Sequence, residues 1–255
     1  MTSRLEHPSV VRVAEAIQAA GRPVAWLDVP RSGRLSAEAV RGACGAMPRG
    51  AWVAVQAANH ETGVLQPVAE IAEVVHEAGL FLHVDAVQAF GKVQGFWGAA
   101  DSVALAAHKI RGPKGIGALG FRGAAPKPLL LGGAQERGLR AGTVDAVAAA
   151  GFRAALEQAV DGPVRWAALA PLRDALEASL AAVAERNGAE PRLPHVSNLS
   201  FAGFQGDELV AALDLLGVRG FERQRLRGGH GRSVAGHQRD VGPRTRADRA
   251  ATEHG

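Results

Sequence analysis

The sequence predicts an α/β fold, a mainly parallel sheet covered by helices. Two observations carry that reading. Strand-like and helix-like segments alternate from the N-terminus to about residue 218, the rhythm of successive βαβ units. The strand-like segments, residues 51–58 and 102–107 above all, are near-continuous apolar runs, as expected of strands buried on both faces. Taken in order, residues 8–20 have helical spacing and residues 24–29 read as a strand. Ser36 can cap a helix running to Cys44, with Glu38 in its first turn. The strand at 51–58 leads to an amphipathic helix over 67–78, with Pro67 at its start and Gly79 just past its end. A strand over 80–84 ends at Asp85, and 102–107 and 116–121 are two more. Residues 143–159 and 165–186 read as long helices, 198–201 as a short strand and 207–216 as a helix. Gly162-Pro163 marks a boundary between a large domain, residues 1–161, and a partial smaller α+β domain, residues 162–218.

Composition narrows the function classes. The chain has 255 residues, 47% hydrophobic, and no uninterrupted apolar stretch of membrane-spanning length, so no membrane partner is expected. Its first residues lack the apolar core of a secretory signal. Cys44, the single cysteine, excludes an internal disulfide and fits a reducing, cytoplasmic setting. The net charge of +4 arises in the tail. Residues 219–255 hold nine arginines against four acidic residues, while the rest is close to neutral. A nucleic-acid surface on the body is therefore not expected. The same tail has three aliphatic residues larger than Ala and no periodicity, and reads as disordered.

Candidate chemistry sits at the ends of the strands, where ligands bind in doubly wound sheets. The strand at 51–58 is followed by Asn59, His60 and Glu61, the strand at 80–84 by Asp85 and Gln88, and the strand at 102–107 by His108 and Lys109. A lysine at the mouth of a buried strand is desolvated, which lowers its pKa and frees a nucleophilic amine for Schiff-base chemistry. The Gly-rich loop 132–143 carries two arginines and leads into a helix. Each feature also has a plain reading: Asp85 as a cap, His108 as a half-buried histidine, Lys109 as a solvated strand end, the loop as a turn. Together they meet the needs of an electron-sink cofactor with a pyridine nitrogen. Such a cofactor takes a carboxylate for the nitrogen, a lysine for the aldehyde, a donor for the ring oxygen and backbone N–H groups for a phosphate. No residue is assigned to a metal.

The stretches NHETGVLQPV, HVDAVQAFGK, AAHKIRGPKGIGAL and GGAQERGLRAGT, in this order, resemble the cysteine desulfurase family of class V, fold-type I pyridoxal 5'-phosphate enzymes. The resemblance runs from about Leu5 to Val218. It implies a catalytic Lys109 bound to the cofactor aldehyde, Asp85 on the pyridine nitrogen, Gln88 on the ring oxygen and His108 by the phosphate. It implies that His7, in Glu6-His7-Pro8, stacks on the cofactor ring and shares in catalysis, and that Asn59 or His60 contacts cofactor or substrate. Thr143 would reach the phosphate in a partner subunit, implying a homodimer. Ala106 stands where a phosphate-binding serine is common. The implied reaction takes sulfur from L-cysteine, leaving L-alanine, and passes it through an enzyme cysteine to an acceptor protein for iron–sulfur cluster or thiocofactor assembly.

Two departures bear on activity. The family's Gly-Ala-Thr phosphate-binding turn has no counterpart before Leu5, so the chain is expected to be truncated at its N-terminus. The family's catalytic cysteine lies on a loop after a segment like residues 213–218, where this chain reads RGFERQRLRGG. Back-translated with GC-rich codons and read one base later, that stretch becomes AVSSGSACAAGT, which resembles the lost loop, cysteine included. A frameshift near Val218 would explain the arginine-rich tail. The expectation is a desulfurase-like protein without persulfide chemistry. The alternatives are another class V enzyme, such as a selenocysteine lyase or aminotransferase, and a non-catalytic remnant or dimerisation partner.

Overall fold

A computed structural model describes residues 1–220 except Phe96 and Ala124, so the expected disorder of the tail lies, from residue 221 on, outside the described residues. A central sheet is built from β3 (Trp52–Gln56), β4 (Phe81–Asp85), β5 (Ser102–Ala106) and β6 (Gly117–Phe121), in that spatial order. β3, β4 and β5 run parallel, with Gln56 beside Asp85 and Asp85 beside Ala104. β6 returns antiparallel to β5. Parallel strands need crossovers. The crossover between β3 and β4 contains α3 (Val68–Glu77), which begins after Pro67 and ends before Gly79, as its sequence predicts. α3 buries Val68, Ile71, Ala72, Val74 and Val75, the spacing of one helical face. That face meets Val53, Val55, Leu82 and Val84 of the sheet, together with Leu35, Val40 and Leu193. Each such aliphatic side chain stabilises the fold by about 1.5–3 kcal/mol when taken out of water.

Two short strands, β1 (Thr2–Ser3) and β2 (Trp26–Leu27), pair in parallel beside the N-terminal helix α1 (Pro8–Ala19). The expected strand over 24–29 thus keeps two paired residues. α2 (Ala37–Cys44) has the expected cap: Ala39 N–H donates to Ser36 Oγ at 3.1 Å.

Further along, the structure differs from the sequence reading at two places. α4 (Ala146–Ala159) starts three residues later than expected, because Asp145 Oδ1 accepts from the Ala148 N–H at 2.9 Å and sets the boundary. The long helix expected over 165–186 is broken. α5 (Gly162–Ala167) and α6 (Ala170–Leu180) are separated where Pro171, lacking an N–H and clashing with the preceding turn, starts a new helix. Residues 184–186 are not helical: β7 (Ala184–Arg186) pairs antiparallel with β8 (Leu199–Phe201). A last helix, α7 (Gly206–Leu215), follows β8. The segment before β8 is tied to α6 by Arg192, whose buried guanidinium holds Glu177 through two bonds of 2.8 Å and Glu190 through one of 3.0 Å. Leu65 N–H and Leu193 N–H bond to Pro191 O and Gly63 O, fastening this segment to the loop after β3. All of these elements lie in one compact unit.

Candidate functional site

The ends of β3, β4 and β5 lie side by side, about 5 Å apart as neighbouring strands must be, so the residues following them are brought together. After β3, Asn59 is buried and spent on structure. Its Oδ1 accepts from the N–H groups of Glu61 and Thr62 and from Thr62 Oγ1, and its Nδ2 donates to Leu5 O at 3.2 Å. Asn59 therefore closes the turn after β3 and anchors the segment leading to His7.

His7 caps α1 and approaches His60 edge-on, with ring centroids 5.5 Å apart and planes at 71°. His60 is the residue at which the cluster can be read electrostatically. Burial lowers its pKa, and the charges of Glu61, His7, Lys109 and Asp85 all act on it. Four sequence-predicted residues, His7, His60, Asp85 and Lys109, thus share one neighbourhood.

Asp85 ends β4 with Oδ1 accepting from the Val87 N–H at 3.0 Å, the local bond of a turn-forming aspartate. Lys109 lies half-buried in a 3₁₀ turn, Ala107–Ile110, directly after β5. That turn is closed by Gly112 N–H on Ala107 O at 2.8 Å. A Cβ on Gly112 would stand 2.9 Å from the Ala107 Cβ and 3.0 Å from its carbonyl oxygen, so the close approach there requires glycine. His108, on the same turn, is exposed, and Thr143 is exposed in the loop before α4. Among the described residues neither makes a hydrogen bond to the cluster.

Two groups at the site escaped the sequence reading. Glu6 is 4% exposed, with Oε1 on the Gln56 N–H at 2.9 Å and Oε2 without a hydrogen-bond partner. Burial pushes its carboxyl up to about 8; the Gln56 bond opposes this and the Asp85 charge adds to it. Lys92 is 5% exposed, and its Nζ donates to Gln88 O and Gln88 Oε1 at 3.0 and 3.1 Å. Burial, then the Lys109 charge, pushes its ammonium down to about 8. Lys92 is thus a second lysine of the neighbourhood, one that the sequence reading did not single out. The signal for both was weak: sequence alone does not separate a buried charged residue from a solvated one.

The donor set fits a pyridine aldehyde. Asp85 offers a carboxylate, Lys109 an amine with no protein partner among the described residues, and Gln88 an amide whose donor end is likewise unpaired. The aminotransferase class-V family model matches residues 1–223. The chain belongs to the class V aminotransferase family. Enzymes of that family depend on pyridoxal phosphate. A cysteine desulfurase of Klebsiella pneumoniae is 38% identical over 225 residues, covering 86% of this chain and 56% of that protein. An IscS-like cysteine desulfurase of Mycobacterium tuberculosis is 38% identical over 228 residues, covering 86% and 58%. The chain spans a little over half the length of these curated relatives. Among solved structures, DndA from Streptomyces lividans is 33% identical with a TM-score of 0.73, covering 84% of this chain and 63% of that one. SspA in complex with cysteine is 30% identical with a TM-score of 0.70, covering 84% and 60%. The chain is therefore desulfurase-like in both sequence and fold, as its motifs led us to expect. No helix among the described residues is long and apolar enough to cross a membrane.

Proposed function

We propose that this chain is the cofactor-binding portion of a cysteine desulfurase, holding pyridoxal 5'-phosphate at the ends of β3, β4 and β5. The cofactor, when bound, supplies an electron sink for the bonds at a substrate α-carbon. In this reading Lys109 binds its aldehyde and then moves protons, Asp85 keeps the pyridine nitrogen protonated and Gln88 donates to the ring oxygen. His7 covers the ring, His108 stands by the phosphate, and Thr143 acts in a partner subunit. Residues 1–161 would form the large domain and 162–218 part of the smaller one. The observation that carries the proposal is the adjacency of the ends of β3, β4 and β5, which brings Asp85 and Lys109 beside the His7–His60 ring pair. L-cysteine as substrate is supported by the desulfurase relatives and by a related structure solved with cysteine. A sulfur-acceptor protein and a homodimer belong to the same proposal.

Sulfur transfer itself needs a thiolate. Cys44, the single cysteine, is 5% exposed at the end of α2, and burial pushes its thiol up. It packs in the core. We therefore expect cofactor binding without persulfide formation, and the frameshift near Val218 as its cause. Cys44's burial also favours, as second reading, a class V reaction that needs no thiol. The test is a titration with pyridoxal phosphate, in which an absorbance band near the visible edge should appear and be lost in Lys109→Ala. A band that survives in Lys109→Ala, or none in the unmodified chain, overturns the proposal. Alanine release measured against keto-acid-dependent transamination separates the two readings. A persulfide formed on this polypeptide from labelled cysteine would refute the expected loss.

A further inference from the structure

Lys92 sits on the turn following β4, four residues after Gln88, and it is almost wholly buried. A buried ammonium is costly unless its protons are bonded. Lys92 spends two of them on a single residue, the carbonyl oxygen and the side-chain Oε1 of Gln88, at 3.0 and 3.1 Å. The chemistry of this contact is one-sided. An ammonium has donors and no acceptor, whereas a carboxamide has a donor end and an acceptor end of nearly equal shape. Only the acceptor end can face Lys92. Turning the amide over would set its NH2 against the ammonium, which would then keep only its bond to the Gln88 carbonyl oxygen and lose a bond to a buried charge. The carboxamide is thereby left with one direction in which to present its two remaining protons.

We propose that Lys92 is a positioning residue, whose ammonium locks the Gln88 carboxamide with its donor end, Nε2, turned to the cofactor's ring oxygen. The inference rests on the reading of Gln88 given above. It gives a role to a lysine that stands where an apolar side chain would pack at less cost. Other charged and titratable groups act in the same neighbourhood. Lys109, on the turn after β5, acts on Lys92, and Lys92 in turn acts on His195, on the segment before β8. Burial pushes that imidazole down to about 4, so it is neutral near pH 7 and adds no second charge there. The Lys92 ammonium has no carboxylate bonded to it among the described residues, so its hydrogen bonds to Gln88 are what satisfy it.

Four variants test this: Lys92→Met, which keeps the length and apolar stem; Lys92→Arg, which keeps a donor-only head; Gln88→Leu; and the Lys92→Met/Gln88→Leu pair. Lys92→Met removes a buried charge and should fold with an unchanged or raised Tm. It should weaken pyridoxal phosphate binding by roughly tenfold, the scale of one hydrogen bond. It should also move the pH midpoint of the bound cofactor's absorbance in the same direction as Gln88→Leu. The pair should be no worse than Gln88→Leu alone, and Lys92→Arg should restore much of the loss. In the cofactor-free chain, the Gln88 side-chain amide signals in a 15N NMR spectrum should shift in Lys92→Met and not in a surface lysine variant such as Lys127→Met. If Lys109→Ala abolishes the absorbance band but Lys92→Met titrates like the unmodified protein, Lys92 is structural only and the inference fails by itself. Gln88 amide signals untouched by Lys92→Met overturn it without reference to the cofactor. A band indifferent to Lys109→Ala instead removes the wider reading.

Discussion

Glu6 precedes His7 and sits against the strand that ends beside Asp85, so its ionisation is coupled to the site. Its carboxyl is raised from 4.5 to about 8, which makes the folded chain bind one more proton than the unfolded chain between those values. Stability from this group is fully present below about pH 4.5 and is lost as pH rises toward 8, by an amount on the order of a few kcal/mol. Glu6→Gln keeps an oxygen for the Gln56 N–H and removes the charge. We expect its Tm to match that of the unmodified protein near pH 4 and to exceed it increasingly as pH rises to about 8. A Tm difference that stays flat over that range would show that Glu6 is ionised in the fold, or exposed. At this scale the sequence was legible where geometry repeats. A polar residue just past an apolar run marks a strand end, which exposed Asp85, His60 and Lys109 as candidates. Glu6 and Lys92 were not legible, because what makes them unusual is the burial contributed by residues distant in the chain. The same is true of Asn59, whose side chain is spent on a local turn and on Leu5.

Among the elements, helix boundaries written in single residues were read correctly: the Ser36 cap, Pro67 before α3 and Gly79 after it. The break at Pro171 was equally present in the sequence, but the apolar periodicity on either side masked it. β7 could not be read from its own residues, since Ala184–Arg186 is a strand only by pairing with Leu199–Phe201. Contacts between elements make two glycines opposite in character. Gly162 opens α5 against the turn at Gly91, and a Cβ there would stand 1.9 Å from the Gly91 carbonyl oxygen. Gly42, exposed inside α2, has nothing within 4 Å of the same added atom. Gly162→Ala should therefore destabilise the chain by about 1–3 kcal/mol or more, because backbone must move. Gly42→Ala should stabilise it by roughly 0.5–1 kcal/mol, by lowering the entropy of the unfolded chain. Urea midpoints at constant m-value measure both, and equal signs for the two substitutions would contradict the packing described at Gly91. Because Lys92 follows Gly91 directly, Gly162→Ala should also disturb the Gln88 amide signals, whereas Gly42→Ala should not.

The molecule as a whole is asymmetric in how it covers its apolar residues. Around β3, β4 and α3 the core is closed, with Val53, Leu82, Val84, Ile71 and Val75 fully buried. From β6 onward several apolar side chains face water, while Phe152 and Leu193 remain buried. Leu129 and Leu131 are 96% and 84% exposed, and Leu130, Val144, Val147, Val160 and Val164 are also exposed. Three consecutive leucines held in water at 129–131 are what a subunit contact would cover. The loop that leads from them into α4 carries Thr143, the residue assigned by resemblance to a partner's site, so a second copy of this chain is the occupant we expect. Burying the leucines at 129 and 131 between subunits would remove them from water without altering the fold of either one. Leu129→Ser/Leu131→Ser should accordingly shift a sedimentation profile toward monomer at a concentration where the unmodified chain is dimeric. Its urea midpoint, measured on the monomer, should stay unchanged, because neither side chain contributes to the core. If the dimer is needed to complete the site, the same variant should bind pyridoxal phosphate more weakly at low protein concentration and recover as concentration rises. A chain that sediments as a monomer at every concentration, with or without these leucines, would show that the exposed face serves some other contact and that the site must stand on one subunit's residues alone.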